Sequence, residues 1–170
     1  LALIERIAMG HRCSVIDVGG GASTLVDDLL ARHRFDVSVL DLSQAALDVA
    51  RQRLGADAQR VQWRVGDVTQ APLPAQAYDL WHDRAVFHSL TEAEDRARYV
   101  AHVRDLVRPG GSVIVGTFAP DGPERCSGLP VCRYDAAGIS AELGQGFTLV
   151  DMVAEAHRTP AGAVQNFNYS

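Results

Sequence analysis

The chain has 170 residues, 47% of them apolar and 22% charged, a composition that fits one domain able to bury a core without disulfide or metal staples. A formal charge of −5 argues against the basic face with which proteins displace counterions from phosphates, so a nucleic-acid partner is disfavoured. All sixteen basic residues are arginine, and the absence of lysine excludes Schiff-base catalysis, a Walker A phosphate loop and the Tyr-x-x-x-Lys pair of short-chain dehydrogenases.

In chain order, apolar strand-like runs alternate with amphipathic helical stretches, the pattern of a parallel sheet covered by helices on both faces. Leu1 to Met9 reads as helix. The opening lacks an initiator Met and a basic segment followed by an apolar stretch, so no signal peptide and an N-terminal truncation are expected. Cys13 to Val18 is a β-branched run ending in Gly19-Gly20-Gly21, and a helix is expected from Ser23 or Thr24 to about His33, with Leu25, Val26, Leu29 and Leu30 on one face. Val37 to Leu40 forms the second strand, closing on Asp41, and Ser43 caps a helix carrying Ala46, Leu47, Val49 and Ala50. Val61 to Val65 is the third strand, before Gly66-Asp67-Val68. Tyr78 to Trp81 is the fourth, after the breaker Pro72-Leu73-Pro74. A long helix from Glu92 to Val107 stops at Arg108-Pro109-Gly110-Gly111, an exit into a fifth strand, Ser112 to Phe118. In the tail, Asp135 to Leu143 reads as a last helix. Phe147 to His157 and Val164 to Tyr169 read as a hairpin joined by Thr159-Pro160-Ala161-Gly162.

The chemistry gathers where the strands end, the rim that holds ligands in open α/β sheets. At Asp17-Val18-Gly19-Gly20-Gly21-Ala22-Ser23 the missing Cβ atoms permit a sharp turn and close approach of a ligand, or simply a tight turn. Asp41, about twenty residues on, stands where a carboxylate accepts the hydroxyls of a ribose, and reads alternatively as a helix cap. Asp67 is placed to accept from an exocyclic adenine amine, with Val68 as an apolar surface for the ring; the plain alternative is a loop acid.

Five segments in order resemble the class I S-adenosylmethionine (SAM) dependent methyltransferases of the small bacterial type: Val15 to Gly21, Val39 to Ser43, Gly66 to Val68, Tyr78 to Asp83, and Leu106 to Gly111. The resemblance covers nearly the whole chain and implies a Rossmann-like, doubly wound, mostly parallel seven-stranded sheet with a C-terminal antiparallel hairpin. The 170 residues would then be one SAM-binding domain lacking an N-terminal cap segment, with SAM as cofactor and S-adenosylhomocysteine as product. The cofactor residues it implies are Asp17, Gly19, Gly20, Gly21, Asp41, Leu42, Asp67, Val68 and His82, with Asp17 organising the glycine loop and His82 to Arg84 beside the methyl group. The fourth-strand motif reads Trp81-His82-Asp83-Arg84 where nucleic-acid and glutamine amino-methylases carry an Asn-Pro-Pro-Tyr type sequence, which points to a small-molecule or protein acceptor. The rivals are a nicotinamide-dependent oxidoreductase and a noncatalytic SAM-binding module. Against the former, the dinucleotide fingerprint would place a glycine where Thr24 stands.

Methyl transfer needs an aligned nucleophile more than a triad; if a proton must leave, Asp83 and His88 are the expected catalytic residues, with His82 also in position. Each has a plain reading: Asp83 as an ion pair with Arg84, His88 as a hydrogen-bonded structural histidine in an apolar stretch. The loop Ala119 to Tyr134 is expected to carry specificity, with Arg125 and Arg133 as possible anion ligands or as solvated charges. Cys126 and Cys132, five residues between them, lack the spacing of a zinc site, so no metal is expected; with Cys13 they make an odd count that suits a reducing, cytoplasmic compartment. No run of eighteen apolar residues offers a membrane span, and oligomeric state is left open.

Overall fold

The computed structural model describes residues 1–158, 162 and 164–170. Its helices are α1 (Ala2–Ala8), α2 (Leu25–Ala31), α3 (Gln44–Leu54), α4 (Ala93–Leu106) and α5 (Ala136–Leu143). Its strands are β1 (Cys13–Val18), β2 (Phe35–Asp41), β3 (Val61–Val65), β4 (Tyr78–Arg84), β5 (Val107–Phe118), β6 (Arg125–Cys126), β7 (Leu129–Pro130), β8 (Val153–Arg158) and β9 (Val164–Tyr169). Seven strands hydrogen-bond in the order β3-β2-β1-β4-β5-β9-β8, and β6 with β7 forms a separate two-stranded ribbon. This is the Rossmann-like, mostly parallel sheet with an antiparallel end that the resemblance implies.

The chain divides into two compact units. The first comprises Leu1–His82 and His102–Val113. Its parallel register pairs Cys13 with Phe35 through Val18 with Leu40, and Val37 with Val61 through Asp41 with Val65. Val15, Ile16, Val37, Val39, Leu40, Leu80 and Trp81 from the strands are buried together with Leu29 of α2 and Leu47 and Ala50 of α3, so the strands' continuous apolar runs are buried on both faces and the helices bury one stripe. Ser43 caps α3, its hydroxyl accepting from the Ala46 amide at 3.2 Å, a contact worth about 1 kcal/mol. Asp79 ties the sheet together by accepting from the Ser14 amide at 2.8 Å and from Arg108. Burial works to raise its pKa, but those two donors outweigh it and hold the carboxyl below its ordinary value.

The second unit comprises Asp83–Ala101 and Ile114–Ser170. Gly116 to Phe118 pair antiparallel with Tyr169 to Phe167, and β8 with β9 from Val153–Tyr169 to Arg158–Val164. Phe87 packs against Tyr99 and Tyr134 with ring centroids 4.9 and 5.6 Å apart, and Phe118 against Phe167 at 4.8 Å. Arg96 and Tyr134 both donate to Glu142, at 2.9 and 3.2 Å, which fastens α5 to α4.

Several boundaries differ from the sequence reading. β4 continues through His82, Asp83 and Arg84, the first two buried despite their polarity and Arg84 exposed. β5 begins at Val107 and contains Arg108-Pro109-Gly110-Gly111, with Gly110 at φ 79° supplying the bend that was expected to separate helix from strand. Phe147 to Met152 lies outside any strand, so the hairpin's first arm is shorter than its apolar run. Of the turn expected at Thr159 to Gly162, residues 159–161 lie outside the described residues. No helix among the described residues is long and apolar enough to cross a membrane.

Candidate cofactor site

The strand order β3-β2-β1-β4 reverses direction of winding at β1, and in open α/β sheets the crevice at such a reversal holds the ligand. The tips of β1 and β2 and the turn after β3 deliver the candidate residues, all within the first unit.

The glycine turn leaves β1 with Gly19 at φ 68° and Gly21 at φ 42°, backbone states that disfavour a side chain. A Cβ on Gly20 would stand 2.6 Å from Asp17 Oδ2 and 2.7 Å from Val39 Cγ1, and one on Gly21 would stand 2.9 Å from Asp41 Oδ2. The turn therefore lies directly on two carboxylates. Arg53, from the last turn of α3, clamps its exit by donating to the Ala22 and Ser23 carbonyls at 2.9 and 2.6 Å and pairing with Asp27 at 2.7 Å. That clamp was illegible in the sequence, where Arg53 is one of two arginines ending an amphipathic helix.

Asp41 accepts from the Ser43 amide through Oδ1 at 2.8 Å and presents Oδ2 beside Gly21, so one oxygen serves the start of α3 and the other faces the glycine turn. Leu42 next to it is 74% exposed, an apolar side chain with no core role. Asp67 is turned onto its own loop, Oδ1 accepting from the Thr69 amide and hydroxyl, both at 2.8 Å, and Oδ2 from Gln70 at 3.4 Å. Val68, expected to face a ring, is only 6% exposed and belongs to the core, whereas Leu42 is an exposed apolar side chain.

Asp17 and His82 are both buried and meet at 2.7 Å, carboxylate Oδ1 to imidazole Nδ1, across neighbouring strands. Nothing in a 65-residue separation announces this pair.

The two residues expected to be catalytic lie in the second unit and are both 0% exposed. Asp83 Oδ1 accepts from the Val86 amide at 2.8 Å, and its Oδ2 accepts from the Phe87 amide at 2.9 Å and the Tyr99 hydroxyl at 2.6 Å. These bonds make Asp83, the expected base, the clasp of the turn that leaves β4, with both of its oxygens engaged inside the fold. Arg84 lies 5.1 Å over the Phe167 ring. His88 accepts from the Phe118 amide through Nδ1 at 3.2 Å and its ring lies tilted against Phe118, centroids 4.7 Å apart; burial lowers its pKa to about 4. In the loop after β5, Arg125 donates to Gly128 O, and Arg133 to Gly122 O and Glu124, which draws both guanidinium groups onto the loop itself. Among the described residues no three His, Cys, Asp or Glu side chains gather as a metal site, and the three cysteines form no disulfide.

A family model described as a methyltransferase domain matches residues 15–111, more than half of the chain. The chain belongs to the SAM-dependent methyltransferases. Malonyl-[acyl-carrier protein] O-methyltransferase of Serratia marcescens is 35% identical to this methyltransferase over 115 residues, 68% of this chain and 36% of that protein. A SAM-dependent methyltransferase of Methanosarcina mazei superposes with a TM-score of 0.81 at 12% identity, covering 99% of this chain and 95% of that one. The 1,6-didemethyltoxoflavin-N1-methyltransferase of Burkholderia thailandensis, solved with 1,6-didemethyltoxoflavin and S-adenosylhomocysteine, gives 0.75 at 21%, covering 99% and 73%. These structural likenesses establish the fold. The chain spans less than half the length of the curated relatives it matches, from 4% of a polyketide synthase of Leptosphaeria maculans to 43% of a ubiquinone biosynthesis O-methyltransferase of Coxiella burnetii. Family membership sets aside the nicotinamide reading, and SAM is the methyl donor.

The residues present fit that donor. A nucleoside calls for a diol acceptor, an apolar surface for its base and a bare backbone under its bulk, which Asp41, Leu42 and the Gly20-Gly21 cradle supply.

Proposed function

We propose that this methyltransferase transfers the SAM methyl group to a small-molecule acceptor, with Gly19 to Gly21, Asp41, Leu42 and Asp67 holding the cofactor. The observation that carries the reading is the placement of Asp41: one oxygen is spent on the Ser43 amide and the other stands against the Gly21 cradle, beside an exposed leucine. SAM when bound supplies a sulfonium whose methyl is already activated, so the protein's contribution is binding and alignment. Asp41 accepts the hydroxyls of the sugar, Leu42 covers the base, and the glycine turn lets the backbone come close. Asp83, clasped by two amides and Tyr99, fixes the turn after β4 and takes no proton from the acceptor. His88 fills the same structural role beside Phe118.

A small acceptor is favoured over nucleic acid by the net charge of −5 and the absence of lysine. A protein side chain is the second choice. Cytoplasmic residence fits three cysteines without a disulfide. Relatives of two kinds are named as O-methyltransferases and two structural neighbours as N-methyltransferases, which directs the first acceptor screen to hydroxyl, carboxyl, amine and ring-nitrogen compounds.

The test is calorimetric titration of the protein and of Asp41→Ala with S-adenosylhomocysteine and with NAD. Tenfold or greater loss of product affinity in the variant, and no heat with NAD, is the expected result. NAD binding, or an unchanged affinity in Asp41→Ala, would overturn the assignment.

A further inference from the structure

We propose that His82 is a positioning residue for the glycine turn, acting through Asp17. The inference rests on the SAM reading above and adds to it a control on cofactor affinity that lies in a neighbouring strand.

Asp17 Oδ1 and His82 Nδ1 lie 2.7 Å apart, and in the arrangement proposed here the ring donates from Nδ1 to the carboxylate. The Nδ1 proton is thereby committed to Asp17, and Nε2 is left as the ring's other nitrogen. The other Asp17 oxygen, Oδ2, lies where a Cβ on Gly20 would come within 2.6 Å, with Val39 closing the opposite side at 2.7 Å. One carboxylate therefore bridges an imidazole on β4 and the bare backbone of the turn. Asp17 has few other ways to be held, because β1 is buried at every position but Ser14 and the residue itself is 3% exposed. Without the imidazole donor, a buried carboxylate is left short of a partner, and the cheapest relief is rotation toward the rim, into the space under Gly20. The turn would move with it. Phenylalanine at position 82 fills the volume and offers no donor. Asparagine offers an amide N–H at nearly the place of Nδ1.

The experiment measures S-adenosylhomocysteine affinity by calorimetry, with melting temperature beside it, for the wild type, His82→Phe, His82→Ala and His82→Asn. Imidazole 15N shifts of the wild type are recorded as well. Expected are the Nδ1–H tautomer for one buried histidine, at least tenfold weaker binding in the Phe and Ala variants, and binding within about threefold of wild type in His82→Asn. Equal affinity in all four proteins overturns the positioning role while leaving the cofactor reading intact. So does an Asn variant no better than Phe, or a wild-type His82 in the Nε2–H tautomer, and the last outcome is read without any variant having to fold. A folded wild type that binds no S-adenosylhomocysteine overturns the cofactor reading, and this inference with it.

Discussion

Side chains of one chemical type take opposite roles in this molecule according to what surrounds them. Asp41 keeps an oxygen at the rim, whereas Asp83, also at a strand end, spends both oxygens on amides and a tyrosine hydroxyl. The histidines divide in the same way. His82 donates to a carboxylate, while His88 accepts from a backbone amide inside an aromatic cluster and is kept neutral by burial, which brings its pKa from 6.5 to about 4. A folded-state pKa below the unfolded value means that the unfolded chain binds more protons between those limits. Stability from this group is therefore whole above pH 6.5 and is lost as pH falls toward 4. His88→Asn, which retains an acceptor for the Phe118 amide, should flatten that portion of the curve. In thermal melts at pH 7 and pH 4.5 the wild type should lose a few degrees more than the variant, on the order of the shift given by a kcal/mol or so of differential stability. Equal losses would show that burial does not hold His88 neutral.

Among the elements, the exit from β4 is the most constrained. Ala85 sits at φ 72°, a left-handed state that costs a residue with a Cβ about 1 kcal/mol, and it is held there by its own amide on Gly116 O at 2.8 Å and by the Asp83 bonds to Val86 and Phe87 that follow. Ala85→Gly removes the steric part of that cost and adds unfolded-state freedom, so we expect a net change between neutral and about 1 kcal/mol stabilising in urea unfolding, with no change in the slope. A clear loss of stability would mean that Ala85 packs rather than strains. The start of α3 shows local sequence and tertiary demand in agreement: Ser43 caps the helix, and Asp41 in turn receives the Ser43 amide. Cap and candidate carboxylate are thus neighbours in one short segment, which is why their arrangement could be expected from short spacings along the chain.

For the molecule as a whole, every residue assigned to the cofactor falls in the unit formed by Leu1–His82 and His102–Val113. Product binding should therefore slow deuterium exchange at the amides of residues 19–23, 41–43 and 66–69, and leave the ribbon at 125–130 and the hairpin strands at 153–158 and 164–169 at their unliganded rates. Protection concentrated in the latter would place the ligand elsewhere. The sequence by itself determined the alternation of strands and helices, the glycine turn, the acid at the tip of β2 and the family, because these depend on local periodicity, backbone freedom at glycine and short spacings along one chain. Only the tertiary structure decided that Val68 belongs to the core and Leu42 to the rim, that Arg53 clamps the turn, that Asp83 is a clasp held by Tyr99, and that Asp17 faces His82. Each of these depends on which residues the parallel crossovers bring side by side, and burial then fixes whether a polar group meets a partner or a ligand.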